Sequence, residues 1–206
     1  MFGAQLVDDQ PSSLPPVFQQ AEERLLLVNT LDVGLQRAVA RISMDWLWQT
    51  ASNATVTLVN GKLEPRSQVQ SGVWYRLRFV YASMFASIRL ALSSDGATCQ
   101  MQLLAKDGIY LKEAPRQVNR IWLASGNRAD VMVSCSCKGK SPCQATFHSE
   151  WGPRNAAEFR DADSHWQGMA VTRTWVGDVF HLDIEGSTPA ATTLPSSPRC
   201  HATWQI

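Results

Sequence analysis

Apolar and polar residues alternate with a period of two through most of the chain, and that alternation predicts strands. In VWYRLRFV, Val73, Tyr75, Leu77 and Phe79 fall on one face, and Trp74, Arg76 and Arg78 on the other. The run from Ser87 to Leu92 repeats the pattern with Ile88, Leu90 and Leu92 inward. From Val179 to Ile184, Phe180, Leu182 and Ile184 point in, while His181 and Asp183 point out. Turn dipeptides separate the runs: Asn60-Gly61, Ser71-Gly72, Asp95-Gly96, Asp107-Gly108, Ser125-Gly126, Lys138-Gly139 and Gly177-Asp178. Many short strands at such spacing predict an all-β chain, an antiparallel sandwich or barrel. One stretch departs from this rule. Leu35, Val39, Ile42 and Trp46 recur at helical spacing, with Gln36, Arg37, Arg41 and Asp45 between them. They predict one inserted amphipathic helix over Leu35–Thr50, whose apolar stripe serves packing.

Composition narrows the classes. A chain of 206 residues with 45% apolar content suits one domain with a proper core. Its net charge is +1 and no lysine and arginine cluster stands out, so no nucleic-acid partner is expected. Apolar runs such as Leu25–Val28 are too short to span a bilayer, so no membrane partner is expected either. The opening MFGAQLVDDQPSSLPP has no basic start followed by an apolar stretch, unlike a signal peptide. It reads as the end of a strand and then a Pro/Ser linker, which suggests a piece of something longer. The closing STPAATTLPSSPRCHATWQI reads as a second linker or tail.

The cysteines are the chemically most suggestive feature. They are Cys99, Cys135, Cys137, Cys143 and Cys200. The middle three fit a local disulfide in an oxidising compartment, or metal or free thiols in the cytosol. The turn KGKSP lies between Cys137 and Cys143. In a hairpin closed there the two cysteines face each other at cross-strand distance, so a Cys137–Cys143 disulfide is expected. The alternative is a zinc site from Cys135, Cys137, Cys143 and His148, at a Cys-x-Cys spacing poorer than Cys-x-x-Cys.

Cys143 and His148 also have half of the spacing used in blue-copper sites. Three observations count against copper there. No histidine precedes Cys143, Pro153 stands where an axial ligand belongs, and residues five apart on a strand point to opposite faces. The two residues are therefore candidates only, and no metal or cofactor is expected in this chain. His201, beside Cys200, reads as exposed tail; His165 and His181 read as solvated. Asp161, Asp163 and His165 would make at most a loose ion site. Asn53-Ala54-Thr55 is a glycan acceptor triplet of the kind that arises often by chance. No nucleophile elbow, phosphate loop or dinucleotide fingerprint is present, so no catalytic residue is assigned.

Five stretches carry a family resemblance. LVNGKLEP (Leu58–Pro65), SGVWYRLRFV (Ser71–Val80), LLAKDG (Leu103–Gly108) and LASGNRADVMV (Leu123–Val133) resemble, in order, the "VNG…P", "pGe..R.Rl.N", "i..DG" and "LaPGqRaDvlv" segments of the second cupredoxin domain of multicopper oxidases. MFGAQLVDD resembles "aGaLiVeD", which ends the first domain of those enzymes. The family pattern differs at Ser125, Asn127 and Tyr81, none of them at a ligand position. The residues have a structural sense without catalysis. Asn60-Gly61 and Asp107-Gly108 suit tight turns at positive φ. Arg128 and Asp130 flank a turn that a charge-assisted pair or backbone bonds would pin.

The resemblance implies a cupredoxin-like Greek-key β-sandwich. It divides the chain into 1–20, the end of a preceding cupredoxin domain and linker; 21–186, the domain itself; and 187–206, the Pro/Ser-rich linker or tail. It also implies that this is the copper-free middle domain of an oxidase whose copper belongs to the full-length parent. There the domain would support, by its architecture, oxidation of a reducing substrate coupled to dioxygen reduction, and the chain alone would be inactive. The His-x-His pairs that bind copper in such enzymes do not occur here, and no histidine lies before His148. The implied partners are the flanking cupredoxin domains. For the parent an extracellular or periplasmic compartment is expected. A stand-alone binding sandwich and a small Cys/His metalloprotein are the rival classes. If Met1–Asp9 is a strand from a neighbouring sandwich and Trp74 awaits a partner surface, the isolated chain should self-associate. Light scattering should then show a better-behaved protein once Met1–Asp9 is removed; a clean monomer at full length would favour the binding-module reading.

Overall fold

The computed structural model describes residues 4, 6, 15–32, 55–83, 87–139, 141–150, 177–186 and 194. The expected helix over Leu35–Thr50, Asn53, the Asp161–Asp163–His165 group and Cys200–His201 lie outside them. The elements are α1 (Pro16–Gln19), β1 (Glu22–Asp32), β2 (Thr55–Val59), β3 (Lys62–Leu63), β4 (Arg66–Gln70), β5 (Tyr75–Tyr81) and β6 (Ile88–Asp95). They continue with β7 (Ala97–Lys106), β8 (Ile109–Tyr110), β9 (Arg116–Gln117), β10 (Arg120–Leu123), β11 (Arg128–Cys137), β12 (Cys143–Ser149) and β13 (Gly177–Glu185). Among the described residues no helix is long and apolar enough to cross a membrane.

Two sheets form the sandwich. Sheet A has eight strands in the order β3-β2-β1-β5-β11-β7-β8, with β9 also on β7; sheet B has five in the order β10-β6-β12-β13-β4. The alternation called for antiparallel sheets, but two of the pairings are parallel, β1 with β5 and β13 with β4. Neither pair is joined by a tight turn. Each is separated by intervening strands, which supply the long crossover that parallel neighbours need.

Period two decides what lies between the sheets. Tyr75, Leu77, Phe79 and Tyr81 of β5 are buried in the main core, with Val131 and Val133 of β11 and Met101 and Leu103 of β7. Sheet B contributes Ile88 and Leu90 of β6, Ala145 and Phe147 of β12, and Leu182 and Ile184 of β13. The register slips at Phe147/His148, where β13 has one residue more than β12, so the consecutive Val179 and Phe180 are both buried. Phe79 from sheet A meets Phe147 and Phe180 from sheet B at ring-centroid distances of 5.6 and 6.3 Å. Phe147 and Phe180 stack at 4.7 Å.

A second, smaller core lies on the outer face of sheet A. Phe18 of α1, Leu104 of β7, Met132 of β11 and Leu194 pack together, with Trp74 and Tyr110 against them. Trp74, expected to await a partner surface, is thus partly covered from within the chain. Leu194, in the segment read as a tail, is 5% exposed. The polar residues around it concealed a single apolar anchor, which composition alone does not distinguish from linker.

The three phenylalanines join the layers, so truncating the central one should be felt throughout. Phe147→Ala should cost about 3–5 kcal/mol, the usual range for deleting a buried aromatic ring. Urea denaturation measures it, and a loss under about 1 kcal/mol would mean that the two layers do not depend on this contact.

Candidate functional site

The family-like motifs supply turns and the bonds that fix them. Asn60 and Gly61 have φ of 51° and 77°, as the two-residue β2–β3 turn requires. The Asn60 side chain accepts from the Leu27 N–H at 2.8 Å and donates to the Leu25 carbonyl at 2.9 Å, so it prolongs the β1–β2 ladder. Asp107 and Gly108 repeat the turn between β7 and β8 with φ of 51° and 85°. Asp107 Oδ1 accepts from the Arg128 backbone N–H at 2.8 Å, and Asp107 Oδ2 accepts from Asn127 Nδ2 at 3.2 Å. Arg128 Nη2 donates to the Asp107 carbonyl at 2.8 Å and Nη1 to that of Gly126 at 3.3 Å. Two motifs about twenty residues apart in sequence therefore form one clasp.

Arg128 and Asp130 do not pair with each other. Arg128 serves the clasp, while Asp130 turns to Arg76, a residue that the alternation placed on an outer face. Arg76 is 2% exposed. It donates to Glu23 Oε1 of β1 at 2.8 Å, to the Tyr110 hydroxyl of β8 at 2.9 Å and to Asp130 Oδ2 of β11 at 2.5 Å. Arg78 adds contacts of 3.3 Å to Glu23 and to Asp130. Burial works against the Arg76 charge, but Asp130, Tyr110 and Glu23 outweigh it and raise the pKa above the usual arginine value. Tyr81, which departs from the family pattern, donates to Thr30 Oγ1 at 3.0 Å, and Thr30 lies 3.0 Å from Thr57. Burial raises the Tyr81 pKa despite its hydrogen bonds to Thr30 and Ser83.

The end of the sandwich opposite the Asp107–Arg128 clasp holds the cysteines. Cys137 and Cys143 are joined, with Cα atoms 5.7 Å apart. The hairpin from which that pairing was expected is not there: β11 belongs to sheet A and β12 to sheet B. The connection from β11 to β12 is an arch between layers, and the bond links the two sheets. A second bond, Cys99–Cys135, has Cα atoms 4.1 Å apart and joins directly opposed residues of β7 and β11. Sequence reasoning left Cys99 and Cys135 unpaired. Their parity was the available signal, since Cys99 shares a face with Met101 and Leu103, and Cys135 with Val131 and Val133.

The metal candidates are not brought together. Cys143 packs against the main core, whereas His148 lies on the outer face of sheet B, its Nε2 3.7 Å from Glu150 Oε1. The zinc alternative fails as a set, because Cys135 is bound to Cys99 while Cys137 is bound to Cys143. The other described histidine, His181, has Nδ1 2.9 Å from Thr146 Oγ1. Among the described residues no three His, Cys, Asp or Glu side chains converge as metal ligands. The described residues do not fit a copper centre, which needs a free thiolate or converging imidazoles.

Comparison with known proteins gives the family. The sequence model described as multicopper oxidase matches residues 29–141. No curated protein matches. Among solved structures, the McoA multicopper oxidase of Aquifex aeolicus superposes with a TM-score of 0.56 at 16% identity, covering 86% of this chain and 34% of that one. The multicopper oxidase of Campylobacter jejuni, a metallo-oxidase, gives 0.51 at 14% identity, with 87% and 33% covered. The blue copper oxidase of Nitrosomonas europaea gives 0.53 at 14% identity, with 85% and 48% covered. The fold is thus the cupredoxin-like β-sandwich found within such oxidases, and the chain spans about a third to a half of their length.

The Arg76 cluster should separate buried from exposed partners. Asp130→Asn leaves the guanidinium short of its more buried counter-charge and should cost about 3–5 kcal/mol, whereas Glu23→Gln, at the exposed edge, should cost about 1 kcal/mol or less. Equal losses in urea denaturation would contradict the cluster as described. On sheet B, Asp183 accepts two hydrogen bonds from Arg66, at 2.9 and 2.6 Å. These hold its carboxyl below the ordinary value of 3.8. A depressed folded-state pKa gives stability that is present above the unfolded value and lost as pH falls through the folded one. Asp183→Asn should therefore flatten the acid limb of the stability profile below pH 3.8, and an unchanged limb would contradict it.

Proposed function

The chain belongs to the multicopper oxidase family, and from that membership we propose that it is the copper-free middle cupredoxin domain of such an oxidase. Its role is architectural. It spaces the flanking cupredoxin domains of the parent, which carry the copper and oxidise a reducing substrate at the expense of dioxygen. The domain extends over residues 21–186, with 1–20 and 187–206 leading to its neighbours. The observation that supports this reading best is the use made of the chain's coordinating groups. Four of the five cysteines are spent in disulfides, and the buried Arg76 is spent in ion pairs with Glu23 and Asp130. The chain also lacks any His-x-His pair. Two disulfides suit an oxidising compartment, in keeping with an extracellular or periplasmic parent.

Copper loading of the 206-residue chain tests the proposal directly. After desalting, metal analysis should find no stoichiometric copper, the visible spectrum should show no blue band, and the chain should have no oxidase activity. A single tight copper per chain with a blue absorption would overturn it.

A further inference from the structure

The disulfide end of the sandwich gathers more of the chain than its two bonds require. Three crossings between sheets lie there: β4 to β5 at Ser71-Gly72, β6 to β7 at Gly96, and β11 to β12 at the arch between Cys137 and Cys143. They are bonded to one another and to the last strand. Gly72 N–H donates to the Cys135 carbonyl at 2.8 Å, Lys138 N–H to that of Gly96 at 2.8 Å, and Ser71 N–H to that of Glu185 at 2.7 Å. Where β13 ends, Gly186 N–H donates to Ser141 Oγ in the arch at 3.0 Å. A Cβ added at Gly96 would lie 4.0 Å from Cys143 Cβ, so the neighbouring crossing rests against the bond itself.

The two disulfides differ in setting. Cys135 is 3% exposed and its partner Cys99 is half-buried, but both lie within the strand-to-strand ladder of β7 and β11, directly opposed in one sheet. Cys137 and Cys143 are half-buried beneath an arch in which Lys138, Gly139, Ser141 and Pro142 are exposed. Lys138, next to Cys137, favours the thiolate that reduction would release. From this geometry we propose that Cys137–Cys143 is a redox latch. A dithiol reductant cleaves the Cys137–Cys143 bond: two electrons and two protons pass to the two sulfurs, and the reductant closes to its own disulfide. Cys99–Cys135 stays intact. What is released is the join between sheets and, through Ser141 and Gly186, the point where the chain leaves β13 towards Leu194. The clasped end, held by Asp107 and Arg128, has no part in the change.

The latch can be read on the full chain. Under dithiothreitol too dilute to alter the far-ultraviolet circular dichroism, alkylation and peptide mapping should find Cys137 and Cys143 modified while Cys99–Cys135 persists. Hydrogen exchange of the Ser71, Lys138 and Gly186 amides should then quicken roughly tenfold, with the Tyr81 and Arg128 amides unchanged. The double variant Cys137→Ser/Cys143→Ser should exchange fast at the same amides without reductant and show no further response. Ser141→Ala, which keeps both cysteines, should free the Gly186 amide alone, and it serves if the double variant fails to fold. Reduction of both bonds together, reduction of Cys99–Cys135 first, or exchange that is unchanged or rises evenly at both ends would each overturn the proposal.

Discussion

The guanidinium of Arg76 is the interaction on which sheet A depends. It sits on β5 and reaches Glu23 on β1, Asp130 on β11 and Tyr110 on β8, so one side chain touches four strands. A buried charge is costly unless it is paired and hydrogen-bonded, and here two carboxylates and a phenol supply the partners. The arrangement fixes register as well as charge. Glu23 is the Cα partner of Arg76 in the parallel β1–β5 pairing, and Asp130 is that of Arg78 in the antiparallel β5–β11 pairing. A slip of one residue on either side would turn a carboxylate to the main core and leave the arginine bare. The parallel pairing, which no tight turn enforces, thus acquires a specific register from electrostatics.

The cluster also explains why the outer face of sheet A is a second core rather than a wet surface. With its charges neutralised, the face accepts apolar cover, and Phe18 and Leu194 provide it beside Met132 and Leu104. These anchors come from segments on either side of the strands, so the sandwich holds both connections against the same sheet. The ends of the molecule are secured by different physics. At one, Asp107 and Arg128 exchange two hydrogen bonds, each between the charged side chain of one and the backbone of the other. At the other, two covalent bonds constrain the unfolded chain. Loops of 36 and 6 residues correspond to roughly 4 and 2 kcal/mol by loop-closure entropy.

The sequence made some of this legible and hid the rest for identifiable reasons. Strand faces could be read because burial repeats every second residue; Tyr75, Leu77, Phe79, Phe180, Leu182 and Ile184 all lie in the core as their parity required. The turns at Asn60-Gly61 and Asp107-Gly108 could be read because few residues tolerate their positive φ. Which turns were hairpins and which were arches could not. Asp107-Gly108 joins two strands of one sheet, while Asp95-Gly96 carries the chain to the other sheet, and the dipeptides are the same. That ambiguity misled the argument for Cys137 and Cys143. It also hid Cys99–Cys135, whose pairing depends on a register between strands 36 residues apart. Arg76 was placed on an outer face, but alternation says only which side a residue takes, not whether that side is wet.

Once arginine, aspartate, asparagine and cysteine are accounted for, the internal chemistry of this sandwich is largely committed to holding it together. Asn60 completes a ladder, Asp107 and Arg128 close a turn, Asp130 and Glu23 neutralise Arg76, and the described cysteines are bonded in pairs. Groups used in this way are poor candidates for ligands, because withdrawing one to bind a metal breaks a structural bond and, for Asp130, leaves the buried Arg76 short of a partner. The rigidity of the sandwich resides in its two secured ends and the covered face of sheet A.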